Sequence, residues 1–533
     1  KKQCYTNIHD IYAEMPAIAN ITEDQAEQFK QLEISTEKDL LIPRRDVLMM
    51  FNYLKKKKKK IILVSDMYMT KEILTEILNN CGYYGWDEMF VSCDCGARKD
   101  NNTIWDQILP KYGKGRFTHV GDNTRSDWQT LIDRNMEATW VINPFDAFRM
   151  SPFYASLKKY VDTGIENSLI LGMALNGGIF NSPYAPAPKT GIPQFTESFS
   201  LGYSVFGTIM TNFIKKLSDE TEKDKSLLFL AREGYILQEL YEKYMELTGQ
   251  EMNDHYYFKT SRRSVTVAAI KDDSDIIKII SQHYTGMLSN MLYSRLGLPM
   301  YDGIKDKQIQ MEEDMVENQK EVMNLLQPHK EEIYKQFGEE KENYLAYVKS
   351  LVPQEKWKDI QVVDVGYSGT IQYFLSKLLN EKVAGYYLAT FQTKPDKIGC
   401  EVKSVYNKDN PYISIIHKTQ LFLESVLQAP YGQLIKFEKE NGELVPKFKN
   451  DNQVPEEIVN LQAGMIAHCT RFAKLIKDIG PNVRVNDNMI CDLYGELLHG
   501  DYMAEHVAKI FGVQDDYCSN KTLVFNSKTD TWE

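Results

Sequence analysis

Between residues 61 and 143 short apolar runs alternate strictly with amphipathic segments, and no other feature constrains the chain as much. The runs IILVSD (61–66), EMFVSC (88–93), FTHVGD (117–122) and ATWVIN (138–143) have strand length, while the segments near 71–80, 103–111 and 127–135 have helical spacing. This alternation predicts a parallel sheet covered by helices, because parallel neighbours need a crossover connection, usually helical. Ligands of such sheets bind at the carboxyl ends of the strands, where Ser65, Asp66, Asp122 and Asn143 stand.

Upstream, from Ile11 to Lys60, apolar residues recur at helical spacing with acids between them. The lysine run at 55–60 closes that region and reads as a solvated helix end, where cations complement the helix dipole. Downstream, a helical stretch at 162–178 leads into NSPYAPAPKTGIP (181–193), whose prolines mark a linker. A second region then repeats the strand and helix logic. Its segments are SLLFLAREGYILQELYEKY (226–244), HYYFKTSRRS (255–264), a charged helical span at 272–350, DIQVVDVGYSGTIQYFLSKLL (359–379) and AGYYLAT (384–390). A helical ESVLQAPYG segment and a hairpin at Asn441-Gly442 follow, and from about 455 the pattern is mainly helical. The expected organisation is a helical region at 1–60, an α/β core at 61–150, a connection and linker at 151–193, a second α/β domain at 194–450 and a helical segment at 451–533.

A chain of 533 residues needs more than one core, and its net charge of −11 argues against a general nucleic-acid binder. The eight cysteines are scattered; Cys93 and Cys95 flank Asp94 without a partner pair at zinc spacing, so reduced thiols in a cytoplasmic protein are expected. The longest apolar stretch, SLILGMALNGGIF at 168–180, is too short and glycine-broken to predict a membrane span. The opening Lys1-Lys2-Gln3, without a Met, reads as part of a longer protein.

Three features of the first region suit one chemistry. A strand-end hydroxyl (Ser65) can hydrogen-bond a phosphoryl oxygen, a lysine (Lys99, in GARKD) can balance its charge, and two carboxylates (Asp122 and Asp127, in GDNTRSD) can hold Mg²⁺. Together these residues resemble the second, third and fourth motifs of the haloacid dehalogenase superfamily, the acidic pair matching G-D-x-x-x-S-D without a gap. VSDMYMT (64–70) is similar to members found in large bacterial proteins of surface-polysaccharide synthesis. The resemblance implies a Rossmann-like parallel sheet, with 1–60 as the remnant of a helical cap, and a Mg²⁺-dependent phosphohydrolase in which Ser65 and Lys99 are catalytic and Asp122 and Asp127 bind the metal. It also implies an Asp-x-Asp nucleophile motif ahead of the cap. The only Asp-x-Asp here, Asp273-Ser274-Asp275, lies downstream in a helix-prone stretch. The expected sheet therefore lacks its central strand, and the module is expected to be truncated or inactive in these 533 residues.

A second constellation lies in VVDVGYSGT. An apolar strand ends at Asp364, and Gly366, Ser368, Gly369 and Thr370 lead into a helix, an arrangement whose free N–H groups suit an anion. Arg232 follows another strand, and Arg262 and Arg263 a third, so side-by-side strands would converge them on that turn. These segments also resemble those following the phosphatase-like domain in the same bacterial proteins, and VVDVGYSGT loosely resembles the phosphate loop of phosphoribosyltransferases without its paired acids. The implied ligand is a phosphorylated small molecule or sugar nucleotide. Two other functions remain open: a non-catalytic scaffold that engages glycan-assembly proteins, and a glycosyl- or phosphoribosyltransferase centred on the second domain.

Overall fold

The computed structural model describes residues 5–113, 117–185, 191–391, 393–449, 453–477, 483–515 and 521–533. The chain is α/β and divides into two compact units, one of residues 1–155 and 175–193, the other of 156–174 and 194–533. Part of the proline-rich stretch, residues 186–190, lies outside the described residues, as do Cys4, Cys518 and the opening Lys1-Lys2-Gln3.

The first unit begins with three helices, Ile8–Ala19, Glu23–Leu40 and Arg45–Lys56. Reciprocal capping boxes start the first two, Asn7 with Asp10 and Thr22 with Gln25, satisfying backbone donors that a helix end would otherwise leave open. Lysines close the third, and Lys57 to Lys60 continue as exposed chain. The four expected strands form as β1 (Ile62–Ser65), β2 (Glu88–Val91), β3 (Thr118–Gly121) and β4 (Glu137–Trp140). They make two parallel pairs, β1 with β2 and β3 with β4, where the alternation predicts one sheet. Ile104, Trp105 and Ile108, from the helix Thr103–Tyr112, pack with Leu131 and Met136 into the apolar core beside these strands. The helix expected at 127–135 is instead a π-helical turn at Thr124–Gln129 with one short α-turn, Thr130–Ile132. The wider turn follows Asn123, whose side chain accepts the N–H groups of Arg125 and Ser126.

In the second unit β5 (Ser226–Leu230), β6 (His255–Phe258), β7 (Tyr284–Met287), β8 (Gln308–Met311), β9 (Ile360–Asp364), β10 (Ala384–Ala389) and β11 (Val402–Tyr406) follow in turn. Five of them build a parallel sheet in the order β11-β10-β9-β5-β6. Every residue of β5 and β10 is buried, as are the first four of β9, which explains why these runs are apolar throughout rather than alternating. By chain order β5 and β9 are the first and third strands of the sheet, yet they are neighbours, in register Leu227 with Gln361 and Phe229 with Val363. Connections diverge from that line to both sides. Such a switch point opens a crevice at the carboxyl ends of the two strands.

The charged span 272–350 is not helical throughout, because β7 and β8 pair as an antiparallel hairpin within it. Its turns place Tyr284, Ile309 and Met311 in a separate apolar core with Ile279 and Val322, and that tertiary burial outweighs the helical propensity of the surrounding sequence. Helix Ile413–Val426 ends before most of ESVLQAPYG. Strands β12 (Leu434–Glu440) and β13 (Glu443–Phe448) form the expected hairpin, Asn441 and Gly442 both taking positive φ in its two-residue turn. Helices Glu456–Ile476 and Asp487–Leu497 follow, and then an antiparallel sheet of β14 (Gly512–Asp515), β15 (Lys521–Asn526) and β16 (Thr531–Trp532) that the helical reading of this segment does not contain. Among the described residues no cysteine is in a disulfide, and no helix is long and apolar enough to cross a membrane.

Candidate functional site

In the first unit Ser65, Lys99, Asp122 and Asp127 line one concavity at the carboxyl ends of β1 and β3. Asp66 shapes it by accepting the backbone N–H groups of Lys99 (2.8 Å) and Asp100 (3.2 Å), which fixes the loop that carries Lys99. The Lys99 ammonium then lies 2.6 Å from Asp127 Oδ1. Asp127 is 2% exposed. Burial alone would push its carboxyl up, but hydrogen bonds from His119 and Lys99 and the N–H of Asn123 outweigh it and hold the carboxyl well below the usual carboxylate range. Gly121 is required here, since a Cβ at that position would fall 2.4 Å from the Asp127 carboxyl carbon.

The two carboxylates expected to share Mg²⁺ thus stand in different environments. Asp122 is exposed, whereas Asp127 spends Oδ1 on Lys99 and His119 and Oδ2 on Asn123 N–H. Among the described residues no group of three or more His, Cys, Asp or Glu side chains is placed to hold a metal ion. Magnesium binds through one or two carboxylates and keeps several waters; of the two carboxylates expected to hold it, Asp122 is open to a cation, whereas both oxygens of Asp127 are engaged within the protein. His119, whose Nε2 lies 3.0 Å from Asp127, was not singled out by motif spacing. Strand periodicity carries the signal: His119 and Gly121 are two apart in β3 and face the same side, the side on which Asp127 packs.

In the second unit the switch point between β5 and β9 holds a cavity of about 580 Å³. Arg232, Arg262, Asp364, Gly366, Ser368, Gly369 and Thr370 all line it, so three separated segments do converge. Arg263 does not. Ser261 caps the helix Arg262–Ala268, placing the two arginines at its first two positions, where consecutive side chains project about 100° apart. Arg263 turns into the core instead and meets Glu340 through two hydrogen bonds of 2.6 and 2.8 Å, with further donation to the carbonyls of Leu296 and Ile435. It is 3% exposed, a structural ion pair rather than a ligand contact.

Ser368 and Thr370 hydroxyls lie 3.0 Å apart at the amino end of the helix Thr370–Leu379. Gly366 has φ +145°, and a Cβ there would lie 2.3 Å from the carbonyl oxygen of Ala389, so the turn approaches β10 as only glycine permits. Asp364 is half-buried at the strand end, where desolvation and then the Glu233 carboxylate push its carboxyl well above the aspartate range, against the opposing N–H of Val365. Glu233 and Glu424 line the same cavity. So does Tyr367, whose hydroxyl is buried without a hydrogen-bond partner among the described residues. Motif spacing in VVDVGYSGT does not reveal Glu424 or Tyr367 as site residues, since one comes from a distant helix and the other from a turn position that many side chains fill.

The Asp-x-Asp at Asp273-Ser274-Asp275 starts a helix capped by Asp272, and Asp273 is engaged by Lys330 at 2.7 Å and Tyr334 at 2.6 Å. It lies in the other unit from Ser65 and Asp122. No family model matches the sequence, and no curated protein matches it.

Proposed function

We propose that the first unit is a phosphoryl-binding module of the haloacid dehalogenase type, a Mg²⁺-dependent phosphohydrolase domain of which these residues supply the phosphoryl-binding and cation-binding half. The observation that carries this reading is the meeting of Ser65, Lys99, Asp122 and Asp127 in one concavity from segments up to 62 residues apart (127 − 65). Ser65 donates to a phosphoryl oxygen, and Lys99, tethered by Asp127, places positive charge beside it. Asp122 and Asp127 would hold Mg²⁺, which supplies charge neutralisation for a phosphate ester when bound. Among the described residues no strand joins the two pairs, where the resemblance implies a central one.

A second reading concerns the second unit, where the switch-point cavity with its arginines and hydroxyl turn suits a phosphorylated small molecule. By the sequence resemblance both units serve bacterial surface-polysaccharide synthesis. Titration of the intact chain with inorganic phosphate tests the first reading, in an Arg262→Ala background that disables the second cavity. Binding that requires Mg²⁺ and falls at least tenfold in Ser65→Ala and Asp122→Asn is expected. Phosphate affinity indifferent to both substitutions would remove the assignment.

A further inference from the structure

Six consecutive lysines, Lys55 to Lys60, are exposed in the first unit, and the helix end that they close explains only some of them. The helix Arg45–Lys56 stops at the second, and the pull of its dipole on a cation falls off within the last turn, so Lys57 to Lys60 lie beyond it. Nor do acids compensate them. Among the described residues none of the six forms an ion pair, and the carboxylates beside the run are engaged elsewhere. Asp87 accepts the N–H of Ile61 at 2.7 Å, and Glu88, whose field Lys60 also meets, takes the Lys111 ammonium at 2.6 Å and the Tyr112 hydroxyl. Adjacent like charges repel one another, a cost that no partner within the chain offsets.

The run is nevertheless held in place. The backbone N–H groups of Lys57, Lys58 and Lys59 bond the carbonyls of Tyr53, Lys55 and Leu54, so the lysines fold back over the helix end. The Lys57 ammonium lies 5.5 Å from the centre of the Tyr53 ring, and Lys55 donates to the carbonyl of Tyr84, itself exposed. Tyr53 shares the outward stripe of the helix with Met49, four residues before it, while Phe51 turns into the core on the opposite side. Met49 is 69% and Tyr53 59% exposed, so ammonium groups, an aromatic ring and an apolar side chain make one surface. That combination suits a bilayer interface, where cations meet anionic headgroups, aromatic rings sit at headgroup level and apolar side chains enter below. A nucleic-acid duplex would use the ammonium groups and leave Met49 and Tyr53 without a role. The run enters β1 at its amino end, and Ser65 stands at the carboxyl end, so this surface and the phosphoryl concavity lie at opposite ends of the strand.

We infer that the first unit docks on an anionic membrane surface through Lys55 to Lys60, with Met49 and Tyr53 entering the headgroup layer. The inference is independent of what either concavity binds. The test is flotation of the intact chain with vesicles of phosphatidylcholine alone and of phosphatidylcholine containing phosphatidylglycerol. Binding is expected to the second kind only, and it should weaken as salt is raised, because salt shortens the reach of exposed charges. A lysine near such a surface contributes about fivefold in affinity, so the triple variant Lys57→Gln/Lys58→Gln/Lys59→Gln should bind about a hundredfold more weakly. The matching triple arginine variant, Lys57→Arg/Lys58→Arg/Lys59→Arg, should retain binding and so separates lost charge from a damaged fold. Met49→Ser/Tyr53→Ser should weaken binding severalfold at every salt concentration, as lost apolar insertion requires. No binding to the anionic vesicles, equal binding to both kinds, or a glutamine variant that binds like wild type would overturn the inference. So would duplex RNA bound in place of the vesicles, or loss of binding in the arginine variant.

Discussion

Asp127 in the first unit, buried, and Asp364 in the second, half-buried, are both carboxylates at strand-end sites, and they are displaced in opposite directions. Desolvation raises both, so the opposite directions come from company. Asp127 sits among an ammonium, an imidazole and a backbone N–H, and its charged form is favoured. Asp364 shares a cavity with Glu233 and Glu424, and Arg262 only partly compensates, so its neutral form is favoured. A site whose charges satisfy one another is closed and rigid before any ligand arrives, whereas one that leaves like charges together is completed by what binds there.

The sharpest break in this comparison lies between adjacent residues. Arg263→Ala should destabilise the second unit by roughly 3–5 kcal/mol, because it strands Glu340 in the core, whereas Arg262→Ala should cost clearly less stability and weaken phosphate binding. Equal midpoint losses in chemical denaturation would show that both arginines are structural.

Asp127→Asn should cost the first unit about 3 kcal/mol at neutral pH, since Lys99 and His119 lose their shared anionic partner. The depressed folded pKa sets the pH window. The stabilisation is present above the unfolded aspartate value of about 4 and lost as pH falls through the folded one, so wild type and variant should converge in acid. A pH-independent gap would mean that packing against Gly121 rather than charge dominates.

Asp364→Asn should act with the opposite sign. The folded state holds its proton more tightly than the unfolded chain, so wild-type stability declines as pH rises above about 4 toward the folded pKa. The variant escapes that decline and should be more stable at neutral pH but no more stable near pH 3, as followed by thermal denaturation across pH. A loss at neutral pH would show that the ionised form is the one the cavity holds.

The smallest effect belongs to Ser65→Ala. Among the described residues no hydrogen bond fixes its side chain, so stability should change by less than about 0.5 kcal/mol, with the effect confined to phosphoryl binding. A larger shift in the denaturation midpoint would make Ser65 part of the scaffold.

Much of this was legible beforehand. The strands at 62–65, 88–91, 118–121 and 137–140 follow from runs of apolar residues bounded by turn residues, and the Asn441-Gly442 hairpin from the positive φ that those two residues tolerate. The convergence of Arg232, Arg262 and the Asp364–Thr370 turn was legible as a consequence of parallel strands lying side by side. The β7/β8 hairpin was not, because the flanking helices share its charged composition and only burial of Tyr284 and Met311 in a distant core selects the strand. Glu424 was also hidden, because it reaches the cavity from a segment whose local pattern describes ordinary helix.

By itself the sequence determined which segments are strand or helix and which residue types stand at strand ends, since both depend on periodicity and on neighbours a few positions away. Only the tertiary structure decided that β5 and β9 lie side by side, that Lys99 reaches Asp127, and that Arg262 faces a cavity while Arg263 enters the core. Those outcomes depend on contacts between residues tens to more than a hundred positions apart, whose energies no local window contains.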